Sequence, residues 1–232
     1  MMSLRIEIDE AETLADALAA YNKGAFEEAF EVFSRLAEAG DMDATMWLGA
    51  MHTHGDGVPA SLARGFELYL EAAKAGRVPA QTNVGAMLVM GQGIPEDAAE
   101  GAKWLERAAT QGDSFAQFNL AMLYGKGQGV PKDDTVAVGW YRRAAEVGHY
   151  PSQARLGFHY ANGIGVEKDR VEAYVWFSLA AQHGIGNALN ALEAIVSQMS
   201  AEEKQKGAAM VDRWRSRTAD TSRLAILNPL PG

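Results

Sequence analysis

The chain has 232 residues, of which 48% are hydrophobic and 22% charged, a balance typical of globular proteins and unlike that of disordered chains. Its formal net charge of -9 and its scattered Lys and Arg argue against binding of nucleic acid, which requires clustered basic residues. The absence of cysteine excludes disulfides, thiolate metal sites and a cysteine nucleophile, and fits a reducing compartment.

The compartment is predicted from two further features of the sequence. The first ten residues turn acidic at once and lack the basic and apolar regions of a signal peptide. No window reaches the roughly 18 to 20 apolar residues that span a bilayer. We therefore expect a cytoplasmic protein without a membrane span, with the periplasm as the alternative if a leader has been removed.

Residues 10–40 predict a short pair of helices, over about 10–22 and 25–39, with a tight connection at Tyr21 to Gly24. Four repeats of 36 residues follow, at 41–76, 77–112, 113–148 and 149–184. Glycines at the repeat boundaries can adopt the left-handed conformation that ends a helix: Gly40, Gly76, Gly112, Gly148 and Gly184. Within each repeat the apolar residues follow a period of 3.6, which predicts two helices, called here helix A and helix B.

Helix B is predicted to begin at a residue whose side-chain oxygen can accept from free backbone amides: Ser61, Asp97, Asp133 or Asp169. Glu100 and Glu172, three residues further on, are expected to complete capping boxes. Bulky residues at one register position are expected to fill the seam between helices: Leu68, Trp104, Trp140 and Trp176. A pair of this size cannot bury its apolar face alone, so the copies are expected to stack into a right-handed array whose concave side the A helices line.

The repeated pattern is Ala-x-x-x-Leu-Gly-x-x-Tyr-x-x-Gly-x-Gly-Val-x-x-Asp, followed by Ala-x-x-Trp-Tyr-x-x-Ala-Ala-x-x-Gly. It resembles the Sel-1-like repeat, a relative of the tetratricopeptide repeat, over about residues 41–188, and residues 10–40 look more like a tetratricopeptide pair. His52, Leu88 and His159 depart from the pattern. The resemblance implies an all-α fold, a right-handed α-solenoid of antiparallel helix pairs.

After Gly184 the repeat decays. Residues 185–218 are predicted to be C-terminal capping helices, with Ser200 to Glu203 capping a polar helix. We expect one solenoid domain over residues 1–218 and a flexible tail over 219–232, since the tail holds two prolines and no helical continuation.

No motif for catalysis or metal binding is present. The Gly125 to Gly129 segment lacks the strand and the Lys-Ser/Thr of a phosphate-binding loop, and His52 and His54 point away from each other on a helix. The usual hydrolase motifs are missing. We therefore expect no enzyme activity, no metal and no cofactor. The alternative is a hydrolase of β-lactam or cell-wall substrates, because some cysteine-rich members of the family are β-lactamase-like.

The surface of the A helices is the candidate binding site. By resemblance to tetratricopeptide arrays, an apolar stripe and its polar neighbours would form a partner-binding concave face: Met46, Trp47, Thr82, Asn83, Phe115, Phe118, Asn119, Met122, Arg155 and Phe158. Asn can bind an extended peptide backbone, and Arg155 a carboxylate. The alternative is that Phe118 and Phe158 are covered by neighbouring helices and the Asn residues only cap their edges.

Together these features predict a scaffold or adaptor that is not an enzyme and that holds a partner protein or peptide on its concave face. A further alternative is a structural protein that self-associates through its C-terminal tail, Leu224 to Pro231. The sequence does not identify the partner.

Overall fold

The structure, a computed structural model, describes residues 13–218, with side chains up to Ser216. This part of the chain forms twelve α-helices: α1 (Leu14–Asn22), α2 (Phe26–Glu38), α3 (Met42–His54), α4 (Leu62–Lys74), α5 (Val78–Met90), α6 (Ala98–Thr110), α7 (Ser114–Lys126), α8 (Asp134–Glu146), α9 (Tyr150–Asn162), α10 (Arg170–Ala181), α11 (Gly186–Val196) and α12 (Ala201–Thr218). The predicted start of the first helix at residues 10–12 and the predicted tail at 219–232 lie outside the described residues.

The described helices group into two compact units, one up to Trp104 and one from Leu105 onward, which divide within α6. In the first unit α1 packs on α2, α2 on α3, α3 on α4 and α4 on α5. In the second unit α7 packs on α8, α8 on α9 and α9 on α10, and both α11 and α12 pack on α10. Each predicted repeat therefore holds one A helix (α3, α5, α7 or α9) and one B helix (α4, α6, α8 or α10).

The connection from helix A to helix B has the same geometry in every repeat. Helix A ends at a left-handed glycine with φ between 65° and 82°: Gly55, Gly91, Gly127 or Gly163. The predicted helix B caps are confirmed, since Ser61, Asp97, Asp133 and Asp169 each accept from a backbone amide two or three residues on. The second glycine of the loop is needed for close approach, because a Cβ at Gly165 would collide with the Asp134 carbonyl.

The predicted capping boxes at Glu100 and Glu172 are wrong. The amides that these carboxylates would have accepted from already donate to helix A, from Asp97 to the Leu88 carbonyl at 2.9 Å and from Asp169 to the Tyr160 carbonyl at 3.0 Å. Glu172 instead accepts from the Trp176 indole at 3.0 Å, and Glu100 pairs with Lys103 at 2.9 Å.

The seam between helix A and helix B is tight because one side is small. A Cβ on Gly49 would lie 3.0 Å from the Tyr69 ring, and one on Gly157 would lie 2.8 Å from the Phe177 ring. The core prediction for the tryptophans is confirmed for Trp104 and Trp176, which are 8% and 5% exposed. Trp140 is only partly buried, and the Arg143 guanidinium lies 4.4 Å from the centre of its ring.

Successive repeats are also joined by buried glutamines that the sequence analysis missed. Gln81, Gln117 and Gln153, 36 residues apart, each donate a side-chain N–H to a carbonyl eight residues earlier, at Ala73, Ala109 or Ala145, over 3.0 to 3.3 Å. These carbonyls lie in the last turn of a B helix, so the helix has no amide four residues further on that could donate to them. The glutamines therefore bind the end of one repeat to the start of the next.

The last helix closes the second unit. Ser200 and Glu203 form the predicted cap, with the Ser200 amide donating to the Glu203 carboxylate at 2.7 Å and the Glu203 amide to the Ser200 hydroxyl at 3.1 Å. Gly207 brings α12 so close to α10 that a Cβ would lie 2.5 Å from the Tyr174 ring. Arg170 on α10 also pairs with Glu203 at 3.1 Å.

Candidate functional site

The second compact unit contains a groove of about 360 Å³ along the A helices, called here the α9–α11 groove. It is lined by residues of α7, α9, α10 and α11 with the segment before it: Phe118, Pro151, Ala154, Arg155, Phe158, Phe177, Ile185, Asn187, Ala188 and Ala191. The surface is apolar except for Arg155 and Asn187.

The 36-residue repeat explains why the groove forms here. Pro151 on α9 and Asn187 on α11 occupy one register position, and Arg155 and Ala191 occupy another. The alanines on this face provide too little side-chain volume to fill the space between the helices. Phe118 and Phe158 both line the open space that remains.

Arg155 provides the positive charge of the groove. Its side chain is exposed, and no carboxylate of residues 13–218 lies within ion-pair distance of it. The nearby Tyr141 has its pKa raised by burial, and the positive charge of Arg155 acts in the opposite direction. The guanidinium is therefore available to a ligand that binds in the apolar groove.

An aromatic cluster adjoins the groove on α7. Phe115 is 50% exposed and Phe118 is half-buried, and each ring centre lies 5.1 Å from that of His149. Burial lowers the pKa of His149 to about 4, so the imidazole is neutral at neutral pH. Its Nδ1 lies 2.8 Å from the Ser152 hydroxyl, which holds the ring in place.

The structure brings together part of the predicted site. Phe118, Arg155 and Phe158 line the same groove, and Phe115 contacts it through His149. Asn119 and Met122 are half-buried on α7, and Met122 packs against the core of the second unit. Phe158 remains 47% exposed, so neighbouring helices do not cover it.

The four other predicted residues belong to the first compact unit. Met46 is 9% and Thr82 8% exposed, and the Thr82 hydroxyl donates to the Val78 carbonyl at 3.3 Å. Trp47 is half-buried and stacks on Phe33 with an interplanar angle of 4°. Asn83 is half-buried as well. These residues mainly pack the first unit, and their role in binding a partner stays a prediction.

The contribution of α11 to the groove was not predicted from the sequence. Ile185, Asn187, Ala188 and Ala191 form one wall. The signal was available, because one more 36-residue step from Pro151 and Arg155 leads to Asn187 and Ala191. His149 was also missed, since nothing in the repeat pattern marks it as a contact of Phe115 and Phe118.

Two further properties of residues 13–218 bear on function. No three or more His, Asp or Glu side chains gather there in a way that could hold a metal ion. None of the helices in this range combines the length and the apolar character needed to cross a bilayer.

Paired helices that repeat every 36 residues and pack in sequential order define an α-solenoid repeat protein. The family model for the Sel1 repeat matches residues 43–76, 78–113, 114–149 and 151–185. The chain therefore belongs to the Sel1 repeat family, and both the resemblance and the solenoid fold class predicted from the sequence are confirmed. Among curated proteins, none matches the sequence.

Solved structures agree with this assignment. A Sel1 repeat protein from Oxalobacter formigenes is 28% identical, with a TM-score of 0.73 over 90% of this chain and 85% of that one. The protective antigen c5321 of uropathogenic Escherichia coli, which has an SLR fold, is 27% identical with a TM-score of 0.79 over 93% of this chain. The chain spans only 49% of c5321. The immunity protein Pa5087 of Pseudomonas aeruginosa, 20% identical with a TM-score of 0.54 over 96% of this chain and 92% of its own, shares the fold.

Proposed function

We propose that this protein is an interaction module without enzyme activity, and that the α9–α11 groove holds a segment of a partner protein. The observation that carries the proposal is an open apolar groove bounded by the exposed Phe158 and by Arg155, whose charge no carboxylate of the described chain neutralises. The repeat scaffold requires neither feature, because the seams between helices are filled by other residues.

The size of the groove indicates the kind of ligand. Its volume of about 360 Å³ is near the lower end of the roughly 300 to 1,000 Å³ of small-ligand sites. A groove of this size accepts one or two side chains of an extended or helical segment. Phe115, half-exposed beside His149, extends the apolar surface beyond the groove and provides a second contact for a segment rather than for a compact small molecule.

Peptide selection followed by titration tests the proposal. Random peptides displayed on phage are selected on the purified full chain, and the affinity of the enriched peptides is measured by fluorescence anisotropy. We expect Phe158→Ser to weaken their binding about tenfold or more, because a central aromatic contact carries much of the binding energy of an interface. The melting temperature should change little, since Phe158 is 47% exposed.

The matched control is Val147→Ser, which removes another apolar side chain of the second unit that is 67% exposed and that does not line the groove. The Val147→Ser variant should bind the enriched peptides as tightly as the unmodified chain does. If no peptide is enriched, or if the enriched peptides bind the Phe158 and Val147 variants equally well, the α9–α11 groove is not the binding site.

The absence of enzyme activity is tested separately. The purified chain is incubated with a chromogenic β-lactam and with peptidoglycan, and we expect no hydrolysis above background. Hydrolysis that increases with protein concentration and persists through purification would favour the hydrolase alternative instead.

A further inference from the structure

We infer that the segment held in the α9–α11 groove is acidic, with an Asp or Glu side chain next to the large apolar residue that enters the groove. This inference rests on the proposed function and adds the chemistry of the partner.

Carboxylates are almost absent from the helices that form the binding surface. The helices α7, α9 and α11 together carry one acidic residue, Glu193, although the chain as a whole has a net charge of -9. The acidic residues of the second unit's other full helices lie on α8, α10 and α12: Asp134, Glu146, Glu172, Glu202, Glu203 and Asp212. On those helices basic residues accompany the acidic ones, whereas α7 and α9 carry Lys126 and Arg155 and no carboxylate. An acidic segment therefore meets little repulsion along the A helices.

Arg155 supplies the attraction. It is the only charged residue among those that line the groove, and the other polar group there is the Asn187 amide. A guanidinium offers a planar fork of donors that matches a carboxylate, and the apolar side chains that line the same groove reduce competition from water. A ligand carboxylate at this position would gain an ion pair while its apolar neighbour is buried against Phe118 and Phe158.

The structure favours a carboxylate within the segment over one at the end of a chain. Exposed apolar surface continues from the groove to Phe115 on α7, and the groove itself extends to Ile185 before α11. A segment that contacts both ends of this surface crosses α9, the A helix between α7 and α11, and Arg155 lies on α9. The carboxylate that pairs with Arg155 is therefore expected on a side chain within the segment.

The test uses the peptides enriched by selection on the full chain, each made with an amidated C-terminus. We expect them to carry Asp or Glu beside a large apolar residue, and we expect replacement of that acid by its amide to weaken binding about tenfold. In the Arg155→Gln variant the acidic peptide and its amide counterpart should bind within about twofold of each other. Raising the salt concentration should reduce the preference for the acidic peptide.

The control is Arg143→Gln, which removes the same charge from α8, where Arg143 stacks on Trp140 away from the groove. This variant should keep the preference for the acidic peptide. If neutral peptides bind as tightly as acidic ones and still require Phe158, the inference is wrong and the proposed function stands. A preference for acid that survives Arg155→Gln, or binding that requires a free C-terminal carboxylate, would also overturn the inference. Peptides that bind regardless of Phe158 would contradict the proposed function itself.

Discussion

The protonation of a single residue, His149, affects the stability of the candidate site. The imidazole lies between Phe115 and Phe118 and caps no backbone amide of α9, although it stands at the N-cap position. Burial favours its neutral form and lowers its pKa from the ordinary 6.5 to about 4. The unfolded chain takes up a proton at this residue at a higher pH than the folded chain does.

We therefore predict that acidification destabilises the fold through His149. The folded pKa is depressed, so the unfolded state binds more protons between about pH 6.5 and 4, and stability is lost as the pH falls through this window. At pH 5 the loss should be about 1 to 2 kcal/mol relative to pH 7. In His149→Gln, which cannot titrate there, urea denaturation should show a smaller loss of unfolding free energy over the same range. Equal losses in both proteins would show that other groups cause the acid sensitivity.

At the scale of the elements, the B helices show how one register position can serve two purposes. Trp176 on α10 is 5% exposed, and its indole N–H donates to Glu172 at 3.0 Å. Trp140 on α8, 36 residues earlier, is only partly buried and carries Arg143 above its ring. The two residues occupy the same position of the repeat, but their surroundings in the structure differ.

We predict that Trp176→Ala destabilises the protein by about 3 to 5 kcal/mol, since it leaves a large cavity in the core of the second unit. Trp140→Ala should cost about 1 to 2 kcal/mol, because less area is removed from water and the contact with Arg143 is weak at an exposed site. Chemical denaturation of the two variants measures the difference. Equal losses would mean that Trp140 is as much a core residue as its counterpart.

The sequence predicts those structural features that depend only on residues close together in the chain. The left-handed glycines and the Asp and Ser caps of helix B follow from the properties of single residues, and the structure contains them at the predicted positions. The capping boxes at Glu100 and Glu172 fail because carbonyls of helix A, distant by nine residues in sequence, already accept from the cap amides. That competition depends on how the two helices fold back on each other, which the capping motif does not contain.

The candidate site is predicted less completely than the fold. Phe118, Arg155 and Phe158 were named by the resemblance to tetratricopeptide arrays, and the structure places all three along one groove. The wall formed by α11 was not predicted, because the Gly-rich loop of the repeat is missing after Gly184, although the 36-residue spacing continues to Asn187 and Ala191. The buried positions of Met46 and Thr82 depend on packing within the first unit, which register does not determine.

At the scale of the whole molecule, stability should be distributed unevenly, because each helix of a repeat protein depends on its immediate neighbours. In the second unit α10 packs against α9, α11 and α12, and eight of its residues are buried. The terminal α12 buries little, with Gly207 and Val211 as its buried residues among 201–216. Local opening should therefore be easiest in α12 and hardest in α10.

Hydrogen exchange followed by mass spectrometry tests this gradient in the unmodified chain and in the Gly207→Ala variant. Alanine normally stabilises the middle of a helix by about 0.5 to 1 kcal/mol relative to glycine, but here its Cβ would lie 2.5 Å from the Tyr174 ring and push α12 away from α10. We expect exchange to accelerate strongly in α12 and only slightly in α9. The control Gly139→Ala, on α8 with no atom within 4 Å of the added Cβ, should slow exchange or leave it unchanged. If Gly207→Ala accelerates α9, α10 and α12 alike, the second unit opens as one cooperative body and α12 is an integral part of it.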